Sequence, residues 1–255
     1  MEKEKNIYNS IDVMVADDSH EKYVDTILDT IESAAKVRGT GIAKRSHEYV
    51  TQKMREGKVI IALCGDEFAG FSYIESWGNK QYVATSGLIV ADNFRNIGLA
   101  KRIKYAAFQL ARLRWPKAKL FSLTSGSAVM KMNTELGYFP VTFADLTDDE
   151  AFWRGCNGCV NQDVLMRTQR RYCICTAMLF DPEDKRCLLV EKLFGALSRK
   201  EAKHRSRAEK KSAKVSVVKS DSAADDKVLK KNSKRVSGSI VKSTKKKLET
   251  KPEVV

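Results

Sequence analysis

The sequence changes character after residue 198, and this change limits how much of the chain can fold. Residues 199–255 carry 19 basic and 7 acidic side chains and no Phe, Trp or Tyr, whereas residues 1–198 carry 27 basic and 25 acidic ones. A segment with so little apolar surface cannot offset the entropy of ordering its backbone, about 1–2 kcal/mol per residue. We therefore predict a flexible N-terminus over 1–10, a nearly neutral folded body up to residue 198, and a disordered basic tail over 199–255.

The basic tail is the one segment that suggests a macromolecular partner. Lysine runs such as 245–247 attract phosphate groups, so a weak contact with nucleic acid is one interpretation. The tail has no aromatic side chains to stack on bases, and a solvated tail without a dedicated partner is the alternative.

Neither a membrane span nor an export signal is visible in the sequence. No apolar run approaches the ~20 residues of a membrane helix, and residues 1–10 (MEKEKNIYNS) lack the apolar centre of a secretory signal. We therefore expect a cytoplasmic protein without a membrane partner. The sequence gives no indication of the oligomeric state.

Strand-like and helix-like segments alternate between residues 11 and 145. Short apolar or alternating runs predict strands at residues 11–17, 58–64, 68–76, 82–90, 119–124 and 138–143. Apolar residues at three- and four-residue spacing predict helices after Ser19, after Ser46, from Leu99 to Leu113 and from Ala128 to Leu136. This alternation predicts an α/β layer architecture with a mixed sheet.

The segment 88–100 (LIVADNFRNIGLA) is the most informative in the chain. A strand ends there in a polar turn that leads into a helix, and a helix N-terminus leaves backbone N–H groups without intrahelical partners. These groups suit an anion such as pyrophosphate, and the small residues Gly98 and Ala100 let it approach the backbone. An ordinary strand-to-helix turn is the alternative interpretation.

This segment, together with Leu136-Gly137-Tyr138 at the end of a later helix, resembles the GNAT superfamily of acetyl-CoA-dependent N-acetyltransferases. The resemblance covers roughly residues 11–145 and implies an α+β fold with a mixed, mostly antiparallel, twisted sheet flanked by helices. Residues 146–198 then form a small Cys-rich accessory subdomain. The whole chain also resembles a bacterial GNAT group encoded with arginine-biosynthesis enzymes, which implies glutamate or a related amino acid as acceptor.

The resemblance also implies where the co-substrate acetyl-CoA binds. The strand backbone pairs with the pantetheine arm, and the following turn wraps the pyrophosphate. The residues concerned are Leu88, Ile89 and Val90 on the strand, and Arg95, Asn96, Gly98, Leu99 and Ala100 in the turn and helix.

The implied reaction is direct attack of an acceptor amine on the acyl carbonyl, which requires a proton acceptor. Glu75, near the end of a strand, is the leading candidate, and His47 is an alternative. Many GNAT enzymes use a tyrosine, four residues before the helix-end glycine, to protonate the departing thiolate. Asn133 occupies that position here; it can hydrogen-bond the sulfur but cannot supply a proton.

The resemblance also implies that the connection between the first two helices shapes the acceptor site. It contains the basic residues Arg38, Lys44 and Arg45, which we assign to substrate binding because a guanidinium can hold a carboxylate through two hydrogen bonds. A small acidic or amino-acid acceptor fits this charge better than a polyamine. Alternatively, the basic residues only complement a helix dipole.

Two classes of function follow from these features. The first is an acyl-CoA-dependent N-acyltransferase that acts on a small amine. The second is a catalytically inactive GNAT-fold binding or regulatory protein whose basic tail contacts nucleic acid, an alternative that Asn133 supports because it cannot act as an acid.

Four of the six cysteines lie within twenty residues, as the pairs Cys156/Cys159 and Cys173/Cys175. A hairpin of residues 160–166 with 172–180 would bring the four thiolates together, the number that Zn²⁺ takes at a closed structural site. We therefore predict a structural zinc site, with inert buried thiols or a redox pair as alternatives. Without an export signal, structural disulfides are not expected.

Overall fold

The computed structural model describes residues 8–38, 45–193 and 195–196, and of Arg38 the backbone alone. The strands are β1 (Ile11–Val15), β2 (Val59–Cys64), β3 (Glu67–Trp77), β4 (Tyr82–Val90), β5 (Lys119–Thr124), β6 (Phe139–Val141) and β7 (Thr176–Phe180). The helices are α1 (Val24–Arg38), α2 (His47–Arg55), α3 (Leu99–Arg114), α4 (Ser127–Glu135), α5 (Glu150–Arg154), α6 (Gln162–Arg167) and α7 (residues 185–193).

Three predicted features lie wholly or partly outside the described residues: the N-terminus before residue 8, Lys44, and the basic tail 199–255. Within the described part of the chain, no helix is long and apolar enough to cross a membrane.

The strands form one seven-stranded sheet in the order β1-β2-β3-β4-β5-β7-β6. Only the pair β4 and β5 is parallel, and every other neighbouring pair is antiparallel. The predicted mixed, mostly antiparallel sheet is therefore confirmed.

Helices α3 and α4 cover one face of the sheet, which we call the α3 face. Helix α3 presents apolar residues at three- and four-residue spacing, and these join the largest core cluster together with the sheet residues Ile60, Val83 and Leu120. The helix residues in this cluster are Leu99, Ile103, Ala107, Phe108 and Ala111. Burial of this continuous stripe explains why the segment is helical.

Two separate groups of residues cover the opposite face. Helices α1 and α2 pack over β2, β3 and the end of β4, and α2 begins at the predicted cap Ser46, whose hydroxyl accepts from the Tyr49 N–H at 3.2 Å. Residues 143–165 pack over β5 and β7 through Phe143, Trp153 and Leu165. The middle of this face, over β4 and β5, lies between the two groups.

The Cys-rich region does not fold as the predicted hairpin. Residues 162–167 form helix α6, and residues 176–180 form β7, which lies between β5 and β6 in the main sheet. Pairing with two strands satisfies both edges of β7, which a hairpin with 160–166 could not do. The region therefore contributes one strand to the same sheet as the predicted acyltransferase domain.

Strand β4 contains one extra residue opposite β3. Phe71 pairs with Ile89 but Tyr73 pairs with Ser86, so the register shifts by one position around Gly87. Gly87 has φ +68°, and a Cβ atom there would lie 2.7 Å from the Tyr73 ring. The resulting bulge bends β4, as bulges generally do, and it requires glycine.

We expect Gly87→Ala to destabilise the protein more than Gly65→Ala does. Both glycines have a positive φ, but a Cβ at Gly65 would meet nothing within 4 Å. The Gly65 variant should lose about 1 kcal/mol of unfolding free energy from backbone strain alone. The Gly87 variant should lose about 1–3 kcal/mol more, from the collision with the Tyr73 ring. Urea unfolding of both variants measures the difference, and equal losses would contradict the proposed packing of the bulge.

Candidate functional site

Strands β4 and β5 separate soon after they begin to pair. They are joined only through Tyr82–Ala84 and Lys119–Phe121, although β4 continues to Val90 and β5 to Thr124. We call the gap between residues 85–90 and 122–124 the β4–β5 cleft. The side of β4 that faces the cleft is not paired with β5, so its backbone can pair with an extended ligand as a neighbouring strand would.

A cavity of about 1060 Å³ opens at the β4–β5 cleft. Its wall includes the predicted residues Leu88 and Ile89, together with Glu75 from β3 and Arg45 from the start of α2. The predicted residue Val90 is not part of the wall. The volume matches that of a pocket for a substantial organic ligand.

The predicted anion-binding turn follows β4 at the protein surface, outside the wall of the cavity. Asn96 and Gly98 both have positive φ, 64° and 85°, and Gly98 is the residue at which α3 begins. Arg95 stays within the turn, since its guanidinium contacts Asp92 at 2.6 Å and donates to the carbonyl of Val90 at 3.2 Å. Helix α3 then starts with Leu99 and Ala100, whose N–H groups precede the first intrahelical bonds.

Arg45 is the predicted acceptor residue that the structure places in the cavity. Its Nε donates to the hydroxyl of Tyr73 at 2.7 Å, and its guanidinium lies 5.6–5.9 Å from the ring centres of Tyr73 and Tyr49. These contacts hold a positive charge in the wall of the cavity, and Arg154 from the Cys-rich region also lines it. The cavity therefore presents two guanidinium groups to a ligand.

Glu75 lies in a cluster with Glu56, Lys53 and Lys58. Its carboxylate accepts from Lys58 Nζ at 2.6 Å and from the Ser76 N–H at 2.9 Å, and its second oxygen contacts Lys53 Nζ. Both lysines also pair with Glu56. Glu75 is only 7% exposed, so these partners replace the water that its carboxylate loses.

Two members of this cluster, Glu56 and Lys53, have shifted pKa values. Burial acts to raise the pKa of Glu56, but hydrogen bonds from Lys58, Gln52 and Lys53 outweigh it and lower the pKa to about 2. Burial acts to lower the pKa of Lys53, but the two glutamates raise it above its ordinary value. Both oxygens of Glu75 already have lysine partners. The assignment of Glu75 as the proton acceptor stays a prediction.

Asn133 and His47 lie outside the wall of the cavity. The Asn133 amide is completely buried under β7, where its Nδ2 donates to the sulfur of Met178 at 3.5 Å. His47 begins α2, and its Nε2 lies 3.8 Å from Asp25 on α1. The role of Asn133 at a departing sulfur also stays a prediction.

All four clustered cysteines line the cavity. Burial raises the pKa of Cys175 to about 12, and the neighbouring thiols of Cys173, Cys159 and Cys156 act in the same direction. Burial also raises the pKa of Cys156, and the Arg45 guanidinium opposes this. The four thiols are therefore neighbours in the cavity wall, and burial favours the protonated form of Cys156 and Cys175.

The predicted zinc site is not supported. Among the described residues, which include Cys156, Cys159, Cys173 and Cys175, no group of three or more His, Cys, Asp or Glu side chains is arranged to hold a metal ion. The prediction depended on a hairpin of 160–166 with 172–180, and helix α6 replaces the first strand of that hairpin. The ligand set that zinc requires is therefore not assembled.

Lys104 is the residue of this site that the sequence analysis missed. It lies on α3, is 2% exposed and lines the cavity from the α3 face. Its Nζ donates to the Thr85 hydroxyl at 2.7 Å and lies 5.5 Å from the centre of the Tyr138 ring. Burial lowers the pKa of Lys104 to about 7. The sequence did contain a signal for this residue, because Lys104 is a charged residue on the apolar stripe of α3, between Ala100 and Ala107.

We expect Lys104→Met to stabilise the folded protein, most strongly below about pH 7. The pKa of Lys104 falls from 10.5 to about 7 on folding, so binding a proton favours the unfolded chain. The wild-type free energy of unfolding should therefore rise between about pH 7 and pH 10, and the variant should lack this rise. The advantage of the variant at low pH is on the order of 5 kcal/mol.

Urea unfolding of both proteins at about pH 6 and about pH 10 measures this effect. Lys117→Met, which removes an exposed lysine just after α3, is the matched control and should show no such pH dependence. An equal difference between wild type and Lys104→Met at both pH values would contradict the burial of an ionisable amine.

No protein-family model and no curated protein matches the chain. Among solved structures, it is similar to N-acetylglutamate synthase from Neisseria gonorrhoeae complexed with coenzyme A and N-acetyl-glutamate, with a TM-score of 0.50 and 14% identity. That similarity covers 68% of this chain and 35% of the synthase, so the chain spans about a third of the synthase's length.

Two further structures are similar at lower scores. Rv2747 from Mycobacterium tuberculosis, in complex with CoA and NLQ, has a TM-score of 0.48 and 14% identity over 67% of this chain and 98% of its own. An acetyltransferase of the GNAT family from Staphylococcus aureus Mu50 has a TM-score of 0.46 and 14% identity over 55% of this chain and 90% of its own. From the sheet order, the separation of β4 from β5 and the similarity to the synthase, we conclude that the chain has the fold of the GNAT superfamily of acetyltransferases.

Proposed function

We propose that the protein is an N-acyltransferase that moves an acetyl or related acyl group from acyl-CoA to the amine of a small acceptor. The observation that carries this proposal is the β4–β5 cleft, which opens into a cavity of about 1060 Å³. The cleft offers a donor an unpaired strand edge, and the cavity offers an acceptor a place beside it.

The donor fits the cleft by its backbone chemistry. The pantetheine arm of acyl-CoA carries amide groups, so it can pair with the free edge of β4 along Leu88, Ile89 and Val90 as an added strand would. The pyrophosphate then reaches the turn before α3, where no side chain caps the first N–H groups of the helix. The residues present therefore fit coenzyme A.

The reaction in this arrangement is direct attack. The acceptor nitrogen adds to the acyl carbon, and the carbonyl oxygen gains negative charge that a backbone N–H of β4 can stabilise. Removal of one such donor typically lowers a rate by ~10²–10³. Collapse of the tetrahedral species forms the amide and releases the thiol of coenzyme A.

The acceptor in this proposal carries a carboxylate. Arg45 and Arg154 present two guanidinium groups to the cavity, and carboxylates are the anions that guanidinium groups bind best in two-point geometry. The structure of the Neisseria synthase contains N-acetyl-glutamate, an acylated acidic amino acid, which supports this class of acceptor for the present chain. Glutamate and related amino acids are therefore the first candidates.

We expect Gly98→Val to weaken coenzyme A binding by at least about tenfold, equivalent to about 1.4 kcal/mol. A branched side chain at φ +85° forces the turn to rearrange and also covers the N–H groups at the start of α3. Calorimetric titration with coenzyme A measures the effect. The matched control is Gly65→Val, which carries a similar backbone penalty at φ +60° but has nothing within 4 Å of an added Cβ atom.

Release of free thiol from acetyl-CoA with a panel of amino acids and polyamines tests the activity itself. Thiol release with acidic amino acids supports the proposal. If coenzyme A binds but no amine is acylated, the protein is instead a binding protein with this fold, the second class of function.

We expect Arg45→Gln to raise the KM for an acidic acceptor by about tenfold or more and to leave that for a neutral amine nearly unchanged. The lost guanidinium removes a charge-assisted hydrogen bond, worth about 1.5–3 kcal/mol. Arg55→Gln, which removes an exposed arginine paired with Glu21 on the outer side of α2, is the control. Equal KM increases for acidic and neutral amines would show that Arg45 does not select a carboxylate.

A further inference from the structure

The proposed reaction needs a proton at the departing sulfur, and the residue predicted there cannot supply one. Asn133 has no ionisable proton near neutral pH, and its amide is buried outside the wall of the cavity. Any group that replaces it must lie at the β4–β5 cleft and carry a proton that it can release.

Lys104 meets the geometric condition. Its hydrogen-bond partner Thr85 follows Ala84, the last residue of β4 that pairs with β5, so the ammonium lies at the closed end of the cleft. Thr85, Ser122 on the β5 side and Lys104 itself all line the cavity. The side chain therefore reaches the site from the α3 face, opposite the acceptor residues Arg45 and Arg154.

Lys104 also meets the chemical condition. Within the described residues no carboxylate pairs with it, and its hydrogen bond goes to a neutral hydroxyl. The other titratable groups nearby are Tyr138, which faces it from the segment after α4, and Arg112, two turns further along α3 and close enough to act on Tyr138. Lys101, one turn earlier on α3, is paired with Glu135 on α4.

Tyr138 is a poorer source of the proton. Burial raises the pKa of its hydroxyl well above the ordinary value, and Thr85 and Arg112 oppose this only in part. Tyr138 is completely buried and is not part of the cavity wall. The desolvated ammonium of Lys104, with its pKa lowered to about 7, gives up a proton far more readily at neutral pH.

We propose that Lys104 is the catalytic acid that protonates the departing thiolate of coenzyme A. This inference rests on the proposed function. The carbon–nitrogen bond forms, the carbon–sulfur bond breaks with its electron pair going to sulfur, and a proton passes from Lys104 Nζ to that sulfur. The acceptor ammonium loses two protons in all; one restores Lys104 through solvent, and the other is released to water.

The first experiment follows the Lys104 side chain and requires no acceptor. Protein labelled with ¹³C at the lysine Cε is titrated by NMR alone, with coenzyme A, and with desulfo-coenzyme A, which lacks only the sulfur. One lysine signal should titrate near neutral pH and be missing from Lys104→Met. Coenzyme A should shift its titration midpoint, and desulfo-coenzyme A should shift it much less.

The outcomes separate this inference from the proposed function. If calorimetry shows no coenzyme A binding by the wild-type protein, both are overturned. If coenzyme A binds but the Lys104 signal responds identically to desulfo-coenzyme A, the ammonium does not face the sulfur. That result overturns the role of Lys104 alone.

The second experiment is kinetic and uses the best acceptor from the panel. Lys104→Met should lower kcat by about 10²-fold or more, in the range of a lost general acid, and leave the KM for acetyl-CoA nearly unchanged. Wild-type kcat should fall as pH rises through the Lys104 titration, and the variant should lack this limb. Lys104→Arg keeps the charge but gives up a proton only at far higher pH, so it should not restore the rate.

Lys117→Met is the control and should retain wild-type kcat and the wild-type pH profile. A Lys104→Met protein that keeps more than half of the wild-type kcat, or that keeps the alkaline limb, overturns the proposal. The NMR midpoints come from the wild-type protein, and either Lys104→Met or Lys104→Arg can assign the signal, so the inference stays testable even if one variant fails to fold.

Discussion

The separation of β4 from β5 is the constraint on which the rest of the site depends. The two strands share three residue pairs and then diverge, which leaves one edge of β4 without a strand partner. The bulge at Gly87 bends β4 in this region, and the Tyr73 ring packed against Gly87 holds the bend in place. A continuous parallel pair would fill the cleft with backbone hydrogen bonds and leave no space for a ligand.

The layers on the two faces of the sheet divide the work of the site. On the α3 face, the turn at Gly98 and the helix it begins suit the phosphate part of a donor, and the same helix carries Lys104 to the closed end of the cleft. On the opposite face, α1 and α2 on one side and residues 143–165 on the other leave a space over β4 and β5. Arg45 and the four clustered cysteines line that space.

The cluster around Glu75 and the single side chain of Lys104 both lie near the cleft, but they differ in whether an opposite charge lies beside each charged group. Glu75 has two lysine partners, and with Glu56 these form a cluster in which each charge is compensated. Lys104 has a neutral hydroxyl as its partner, so burial acts on its ammonium without compensation. An uncompensated buried charge costs folding free energy, and such a cost is typical of functional sites.

Much of the fold could be predicted from local pattern, and the exceptions share one cause. The helix α3 and the strands up to β5 follow the spacing of their apolar residues, which a single segment displays by itself. The segment 160–166 is apolar enough for a strand, yet it forms α6, and the strand at 176–180 pairs inside the main sheet. The partner of a strand is chosen by segments far away in the chain, which local pattern does not report.

The sequence by itself determined the turn from 88 to 100, because a strand, a left-handed glycine and an amphipathic helix are each encoded by adjacent residues. Only the tertiary structure decided that Glu75 is paired on both oxygens, that no metal-binding group is assembled among the described cysteines, and that Lys104 lies buried at the cleft. The hydrogen bonds from Lys58 to Glu75 and from Lys104 to Thr85 join residues that are 17 and 19 positions apart in the chain. These properties therefore depend on the distances between such groups in the folded protein and on the water that packing excludes. Packing sets those distances, and hydrogen bonding, ligand geometry and desolvation follow from them.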